Sequence, residues 1–318
     1  MADRHGTWKS TRGTTREITR RKFLEKTTTG TATILAGAHL AAAPAGKEKK
    51  KRTAVDLVPL GETGHKICRL GFGTGSNGGK VQRDLGQEGF TKLIHQAYER
   101  GVRFIDTADM YKTHEMVARA IRGLPREKLW IQSKMRWEPQ FIKEGARHCL
   151  ERFLKELKTD YIDSLLIHCA TLTTWPEDLR PIMDVFQEAK EKKLIRVQGV
   201  SCHGLPALRA ATKTDWVDVH LCRVNPQGRH VDGAFGKWGE PGKPKEAFPE
   251  IRAMRKKGRG ILAMKIIGNG DFKKTEDRER SVRFAMSCGF VDAVVIGFGS
   301  IAEVDEAIRR MNQALAAS

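Results

Sequence analysis

The chain has 318 residues, of which 40% are apolar, and it carries a formal net charge of +19. Its apolar content is enough for a sizeable core, and no apolar run approaches the roughly 20 residues that a membrane-spanning helix needs, so we expect a soluble protein without a membrane anchor. The basic excess comes without a nucleic-acid-reading module, and no nucleic-acid partner is expected. The six cysteines have no C-x-x-C spacing and predict no disulfide pairing.

The first 45 residues differ from the rest in being rich in Thr, Ala and Gly. Arg20-Arg21 precede a mildly apolar stretch at 27–40, and Ala-Pro-Ala follows at 43–45. A twin arginine, a weakly hydrophobic segment and an A-x-A-like site are typical of a bacterial twin-arginine export leader. We therefore predict a signal peptide at 1–45, one domain at 46–318, the twin-arginine translocase as a partner, and a periplasmic or extracytoplasmic location. A disordered basic tail is the alternative interpretation.

The domain opens with a hairpin-like pattern, and its first long strand is predicted at 66–73. A glycine-rich segment follows at 73–79. Because glycine has no side chain to obstruct a ligand, this loop is a candidate for close contact with a bound molecule. Gly73 and Thr74 are the residues we expect at that contact.

Strands and helices then alternate along the chain, which indicates βα units around a parallel sheet. We predict helices at 88–100, 139–158, 175–192, 246–257, 276–288 and 301–314, and later strands at 102–105, 129–133, 161–168, 195–201, 216–221, 260–266 and 291–296. Eight strands after the hairpin predict a (β/α)8 TIM barrel in a single α/β domain. The Gly/Pro-rich segment 225–245 interrupts the alternation and is a candidate substrate lid.

Four polar residues stand where apolar runs end, or shortly after: Asp106, Tyr111, Lys134 and His168. Barrels of this type carry their chemistry at the carboxyl ends of the strands, so these residues are candidates for a catalytic group. A free phenol is a weak acid, with a pKa of about 10, and a neighbouring ammonium would lower that pKa. We expect Lys134 to supply the cation, Asp106 to pair with it, and His168 to orient a carbonyl by hydrogen bonding.

In the order and sequence context of these four residues, the chain resembles the aldo-keto reductase family. The matching stretches are FIDTADMY at 104–111, IQSK at 131–134 and LLIH at 165–168, and weaker similarity extends from about 55 to 312. The resemblance implies an oxidoreductase that transfers a hydride between a nicotinamide cofactor and a small carbonyl or alcohol substrate. Tyr111 would then be the proton donor.

The resemblance also implies NADP or NAD as cofactor, and it directs attention to residues near the strand ends. The candidates for binding it are Gly73, Thr74, Ser201, Lys265, Gly297, Gly299 and Ser300; the last three precede a helix whose free N–H groups suit a phosphate. The family pattern is incomplete here. Cys202, His220 and Arg223 or Val224 stand where members commonly have Asn, Gln and a stacking Tyr, and Glu303 stands where members that prefer NADP often have Arg.

A second interpretation belongs to a different class of protein. Three pairs follow or end neighbouring strands, His168 with Cys169, Cys202 with His203, and His220 with Cys222, and thiolate with imidazole suits zinc or copper. The alternative function is therefore an exported, non-catalytic barrel that binds a ligand or a Cys/His-ligated metal. Adjacent strand residues face opposite ways, so at most one of each neighbouring pair points inward. No residue is assigned as a metal ligand on this ground.

Overall fold

The computed structural model describes residues 51–237 and 239–317. It begins with a short antiparallel hairpin, β1 (Leu57–Pro59) and β2 (Lys66–Cys68). Leu60, Ile67 and Cys68 are buried together with the inner side chains of the barrel strands. The hairpin contacts the chain where a barrel strand begins, because Gly61 lies against the backbone at Gly260, and it therefore closes the amino-terminal end of the barrel.

Eight parallel strands close the barrel in the order of the chain. They are β3 (Leu70–Gly73), β4 (Phe104–Asp106), β5 (Trp130–Met135), β6 (Ile162–Ala170), β7 (Ile195–Cys202), β8 (Val219–Arg223), β9 (Gly260–Met264) and β10 (Ala293–Gly297). The last strand pairs with the first, with Gly297 opposite Gly73. The predicted TIM barrel with an N-terminal hairpin is thus confirmed, and the predicted strand 66–73 divides at Arg69 between hairpin and barrel.

Helices cover the outside of the barrel. They are α1 (Lys80–Asp84), α2 (Gly86–Glu99), α3 (His114–Ala120), α4 (Gly145–Leu157), α5 (Trp175–Asp178), α6 (Arg180–Glu191), α7 (Leu205–Lys213), α8 (Pro244–Lys256), α9 (Thr275–Ser287) and α10 (Ile301–Ala316). Their apolar stripes pack on the outer faces of the strands in one continuous core. None of the described helices is long and apolar enough to cross a membrane.

Three further predicted elements differ from the observed ones by more than two residues at an end or are divided. The helix predicted at 139–158 begins at Gly145, and Phe141 is 48% exposed instead of buried, with the Arg136 guanidinium 4.1 Å from its ring centroid. The helix predicted at 175–192 divides at Leu179 because Pro181 has no N–H to continue it. The strand predicted at 216–221 lies at 219–223.

Candidate active site

A buried ion pair lies at the carboxyl ends of β4 and β5. Lys134 Nζ is 2.7 Å from Asp106 Oδ1 and donates a hydrogen bond to the Thr107 carbonyl at 2.8 Å. Gln132 Nε2 donates to the same Asp106 oxygen at 2.7 Å. The side chains of Lys134 and Asp106 are only 1% and 6% exposed. Burial lowers the pKa of Lys134, and the charge of Asp106 and its hydrogen bond to the amine oppose that shift.

Tyr111 is carried by one turn of 3-10 helix, Asp109–Tyr111, which follows β4. Its ring lies edge-on to the imidazole of His168, with centroids 5.6 Å apart. Lys134 Nζ lies 4.8 Å from the centroid of the phenol ring. On another side the backbone of Gly75 is so close that an added Cβ would stand 2.4 Å from Tyr111 Cζ. The chain therefore brings the phenol, the amine, the carboxylate and the imidazole to one rim, as the strand ends predicted.

The acidity of Tyr111 differs from the sequence expectation. Burial raises the pKa of Tyr111 well above 10, and the charge of Asp106 raises it further. The ammonium of Lys134 is already paired with Asp106, so it does not lower the pKa of the phenol in this state. The expected lowering of the Tyr111 pKa is therefore wrong, and the main physical cause of the rise is desolvation of the phenolate.

His168 is buried at the end of β6. Burial lowers its pKa well below 6.5, and the charges of Lys134 and Arg136 add to this effect. The imidazole is therefore neutral at physiological pH. Among the described residues its Nδ1 has no hydrogen-bond partner. A neutral ring beside the Tyr111 phenol can orient a substrate oxygen without bringing a second positive charge to the rim.

A cavity of about 640 Å³ extends from Asp106 and Tyr111 along the ends of β9 and β10 to helices α9 and α10. Four of the seven residues that the sequence suggested for cofactor binding line it: Gly73, Lys265, Gly297 and Gly299. Gly75 lines it as well, although the sequence did not single it out from its glycine-rich segment.

The other three candidates lie outside the lining of this cavity. Thr74 is buried and its Oγ1 is 2.9 Å from Thr113 Oγ1. Ser201 is buried, with no hydrogen-bond partner for its Oγ in the described chain. Ser300 caps α10 by accepting the Glu303 N–H at 3.4 Å, while Glu303 accepts the Gly299 N–H at 2.7 Å. The start of α10 thus satisfies two of its own N–H groups, which are the groups that a bound phosphate would use.

Comparison with known proteins assigns the fold to a family. The family described as the aldo/keto reductase family matches residues 69–288. The chain belongs to the aldo/keto reductase family.

Individual relatives match over shorter stretches. Methylglyoxal reductase DkgB of Salmonella typhi is 32% identical over 150 residues, which is 43% of this chain and 54% of that protein. Probable aldo-keto reductase 1 of Glycine max is 34% identical over 125 residues, 36% of each chain. The alignments therefore span only about a third to a half of these relatives.

Solved structures of the family share the fold over most of their length. The holo form of aldo-keto reductase AKR11C1 from Bacillus halodurans superposes with a TM-score of 0.64 at 18% identity, covering 83% of this chain and 96% of that one. An aldo-keto reductase from Klebsiella pneumoniae in complex with NADPH gives a TM-score of 0.60 at 19% identity, covering 82% and 90%. At this identity the similarity establishes the fold alone.

This family member departs from the common pattern at β8. Arg223 is buried, with its Nε 3.7 Å from Asp232 Oδ1, and Asp232 also accepts the Gly204 N–H at 2.8 Å. Asp232 comes from the irregular segment between β8 and α8. Its contacts with Arg223 and Gly204 therefore attach part of the predicted lid to the carboxyl ends of β7 and β8. His220 is buried too, and burial lowers its pKa to about 3. The sequence did not indicate the role of Asp232, since a single Asp in a loop has no distinguishing pattern.

The metal-binding alternative lacks a ligand set. Cys169 Sγ and His203 Nε2 are 3.7 Å apart, but no group of three or more His, Cys, Asp or Glu side chains within the described ranges is arranged to hold a metal ion. Cys202 instead donates to the Ala207 carbonyl at 3.4 Å. The non-catalytic alternative is therefore not favoured for this family member.

Proposed function

We propose that this protein is an NAD(P)-dependent oxidoreductase that interconverts carbonyl compounds and alcohols. The observation that carries the proposal is the convergence of Asp106, Tyr111, Lys134 and His168 at one rim, where Asp106 and Tyr111 line a cavity of about 640 Å³. A phenol whose pKa is raised stays protonated at neutral pH and is available as an acid. Membership of the aldo/keto reductase family supports the same reaction.

Each residue has a role that follows from its position. Tyr111 delivers its proton to the carbonyl oxygen, with Lys134 Nζ 4.8 Å from the centroid of its ring. Asp106 keeps Lys134 charged through their 2.7 Å contact. Neutral His168 positions the substrate oxygen beside the phenol. Together these groups bind and protonate the oxygen while burial excludes water from the ion pair.

The cavity has the chemistry that a dinucleotide requires. Gly73, Gly75 and Gly297 contribute backbone to its lining. Lys265 and Lys273 supply positive charge along the same wall, which suits a pyrophosphate. When bound, the nicotinamide supplies or accepts the hydride. We propose NADP or NAD as the cofactor and a small carbonyl compound as the substrate, with methylglyoxal, named for the Salmonella relative, as the first compound to test.

The Tyr111→Phe variant tests the proton-donor assignment. We expect this variant to lose carbonyl reduction by at least about 100-fold, which is the lower range for a general acid, while its circular dichroism and its nicotinamide affinity stay unchanged. The measurements are steady-state oxidation of NADPH and NADH with methylglyoxal, and titration of cofactor by fluorescence. Turnover retained in the variant would remove Tyr111 as the acid, and failure of the parent protein to bind either cofactor would overturn the oxidoreductase proposal.

We also propose that the chain is exported through the twin-arginine translocase, with a signal peptide at 1–45 and the barrel domain at 46–318. The support is the order of the sequence features: Arg20-Arg21, a mildly apolar stretch, and Ala-Pro-Ala at 43–45. These features lie outside the described residues. This pathway carries folded proteins, so a barrel could acquire a cofactor in the cytoplasm before export.

Replacing both arginines by lysine tests the leader. In a bacterium with the pathway, we expect the parent chain to appear outside the inner membrane as a species shortened near residue 45. The Arg20→Lys/Arg21→Lys variant should accumulate inside the cell at full length. Cell fractionation measures where the chain is located, and mass spectrometry identifies its mature N-terminus. Equal export of the variant and the parent would argue for a basic tail instead.

A further inference from the structure

Lys265 occupies an unusual backbone position in the cavity. It follows β9 directly, and its φ of +63° is in the left-handed region that residues with side chains rarely adopt. It lines the same cavity as Asp106 and Tyr111, and its Nζ donates a hydrogen bond to Asn269 Oδ1 at 2.9 Å. Strained conformations of this kind persist where the surrounding structure holds them, and they are concentrated at functional sites.

The two lysines of the site are in different electrostatic surroundings. Lys134 is held as an ammonium by the carboxylate of Asp106. Around Lys265, burial lowers the pKa first, the charges of Arg223 and Lys134 lower it further, and Cys169 and Asp106 oppose them, with a resulting pKa of about 8. Arg223 projects from β8, which neighbours β9, whereas Lys134 of β5, Cys169 of β6 and Asp106 of β4 come from strands farther around the barrel.

We propose that Lys265 is a covalent carbonyl-capture site, at which aldehydes and ketones that enter the cavity condense with Nζ to form an imine. The inference goes beyond hydride transfer, because the lysine acts as a nucleophile and needs no nicotinamide. Desolvation and a neighbouring cation are the usual means by which proteins make a lysine nucleophilic. The position of Lys265 at a strand end of a barrel, in the cavity that also presents Tyr111, places the amine where carbonyl compounds are expected to bind.

The step balances without an oxidant or a reductant. The lone pair of neutral Nζ attacks the carbonyl carbon, the carbonyl oxygen takes up a proton from solvent, and the nitrogen loses one to give a carbinolamine. Loss of water then forms the C=N bond. At pH 7 a lysine with a pKa of about 8 is neutral in about one molecule in ten, against about one in 3000 for an ordinary lysine. The reactive fraction of Lys265 therefore exceeds that of an ordinary exposed lysine by about 300-fold.

Reductive trapping tests the proposal on the purified full chain without nicotinamide. The probe is propanal with sodium cyanoborohydride, which converts an imine into a stable propylamine, and peptide mass spectrometry gives the rate at each lysine. We expect Lys265 to be propylated about 100-fold faster than exposed lysines at pH 7. Its rate should reach half of its maximum near pH 8, while the rates at exposed lysines continue to rise beyond pH 9.

Two variants and one ligand complete the test. Lys265→Arg should abolish the rapid propylation at position 265. Lys273→Arg, which changes another lysine of the same cavity, should leave the rate of propylation at Lys265 unchanged. Excess NADP⁺ or NAD⁺ should slow propylation at Lys265 if the cofactor shares the cavity. Propylation of Lys265 no faster than that of exposed lysines, or a rate that shows no half-maximum below pH 9, would overturn the proposal. Because no nicotinamide is needed, this result is independent of whether the protein reduces carbonyl compounds.

Discussion

At the scale of single residues, the position of the Tyr111 phenol depends on a glycine. The absence of a side chain at Gly75 leaves the space in which the phenol ring lies, since an added Cβ would stand 2.4 Å from Cζ and 2.9 Å from Oη. The φ of Gly75 is not in the left-handed region, so alanine is compatible with the backbone, and the atoms nearest to its added Cβ belong to Tyr111. Gly75 thus contributes to the site because the absence of a Cβ leaves room for the phenol ring.

We expect Gly75→Ala to displace the phenol and to lower kcat for carbonyl reduction by about 100-fold, the loss that follows a shift of about 1 Å in a reacting group. The melting temperature should change little, because Tyr111 is at the rim. Steady-state kinetics measures the change in kcat, and thermal unfolding measures the change in melting temperature. Gly89→Ala is the matched control, since its added Cβ would meet Leu85 at an ordinary 3.5 Å, and an equal loss in this control would contradict the explanation.

At the scale of elements, helix α4 holds the turn that carries Tyr111. Arg152 of α4 bonds both carboxylate oxygens of Asp109, at 2.9 and 3.2 Å, and Asp109 begins the 3-10 turn that ends at Tyr111. Glu156 of the same helix accepts from Arg152 and contacts His114 Nδ1 at 2.8 Å. A rigid helix on the outside of the barrel therefore positions a side chain at its mouth.

Arg152→Ala is expected to release the turn and lower kcat by about tenfold to 100-fold, because the reacting phenol loses its fixed orientation. Cofactor affinity should not change, since Arg152 does not line the cavity. Kinetics and fluorescence titration separate the two effects. Arg147→Ala removes another arginine of α4, paired with half-buried Glu188, and should leave kcat unchanged; if both variants lose activity equally, the loss comes from the helix and not from the Asp109 contact.

At the scale of the whole molecule, buried histidines link stability to pH. Burial lowers the pKa values of His168, His203 and His220. In the unfolded chain these groups titrate near 6.5, so below that pH the unfolded state binds more protons than the folded state. The contribution of these neutral histidines to the free energy of unfolding is therefore fully present above about pH 6.5, and it is lost as the pH falls below that value. We expect the free energy of unfolding to decrease steadily between pH 7 and pH 5.

His220→Gln isolates one of these contributions. The pKa of His220 is about 3 in the folded state, so at pH 5 its cost to stability relative to pH 7 is about 2 kcal/mol, and the variant should lose that part of the pH dependence. Urea unfolding at several pH values measures the slope. His148→Gln, at an exposed position on α4, is the control, and equal slopes in the parent and His220→Gln would contradict this account.

Much of the fold was predictable because its signals are local. Alternation of strand and helix periodicity predicted the closed barrel, and the ends of the strands before Asp106, Lys134 and His168 predicted one shared rim. The boundaries of the helix near Phe141 and of β8 were not predictable, because a guanidinium contact and neighbouring strand pairing outweigh local propensity there.

The sequence by itself determined the element order, the barrel and the set of polar residues at its carboxyl-terminal mouth, because hydrophobic periodicity and residue type are properties of neighbouring positions in the chain. Only the tertiary structure decided that Thr74 bonds Thr113 outside the lining of the cavity, that burial raises the pKa of Tyr111, and that burial lowers the pKa of Lys265 at a left-handed position. These properties depend on desolvation and on charges brought together from distant parts of the chain, which no local pattern records.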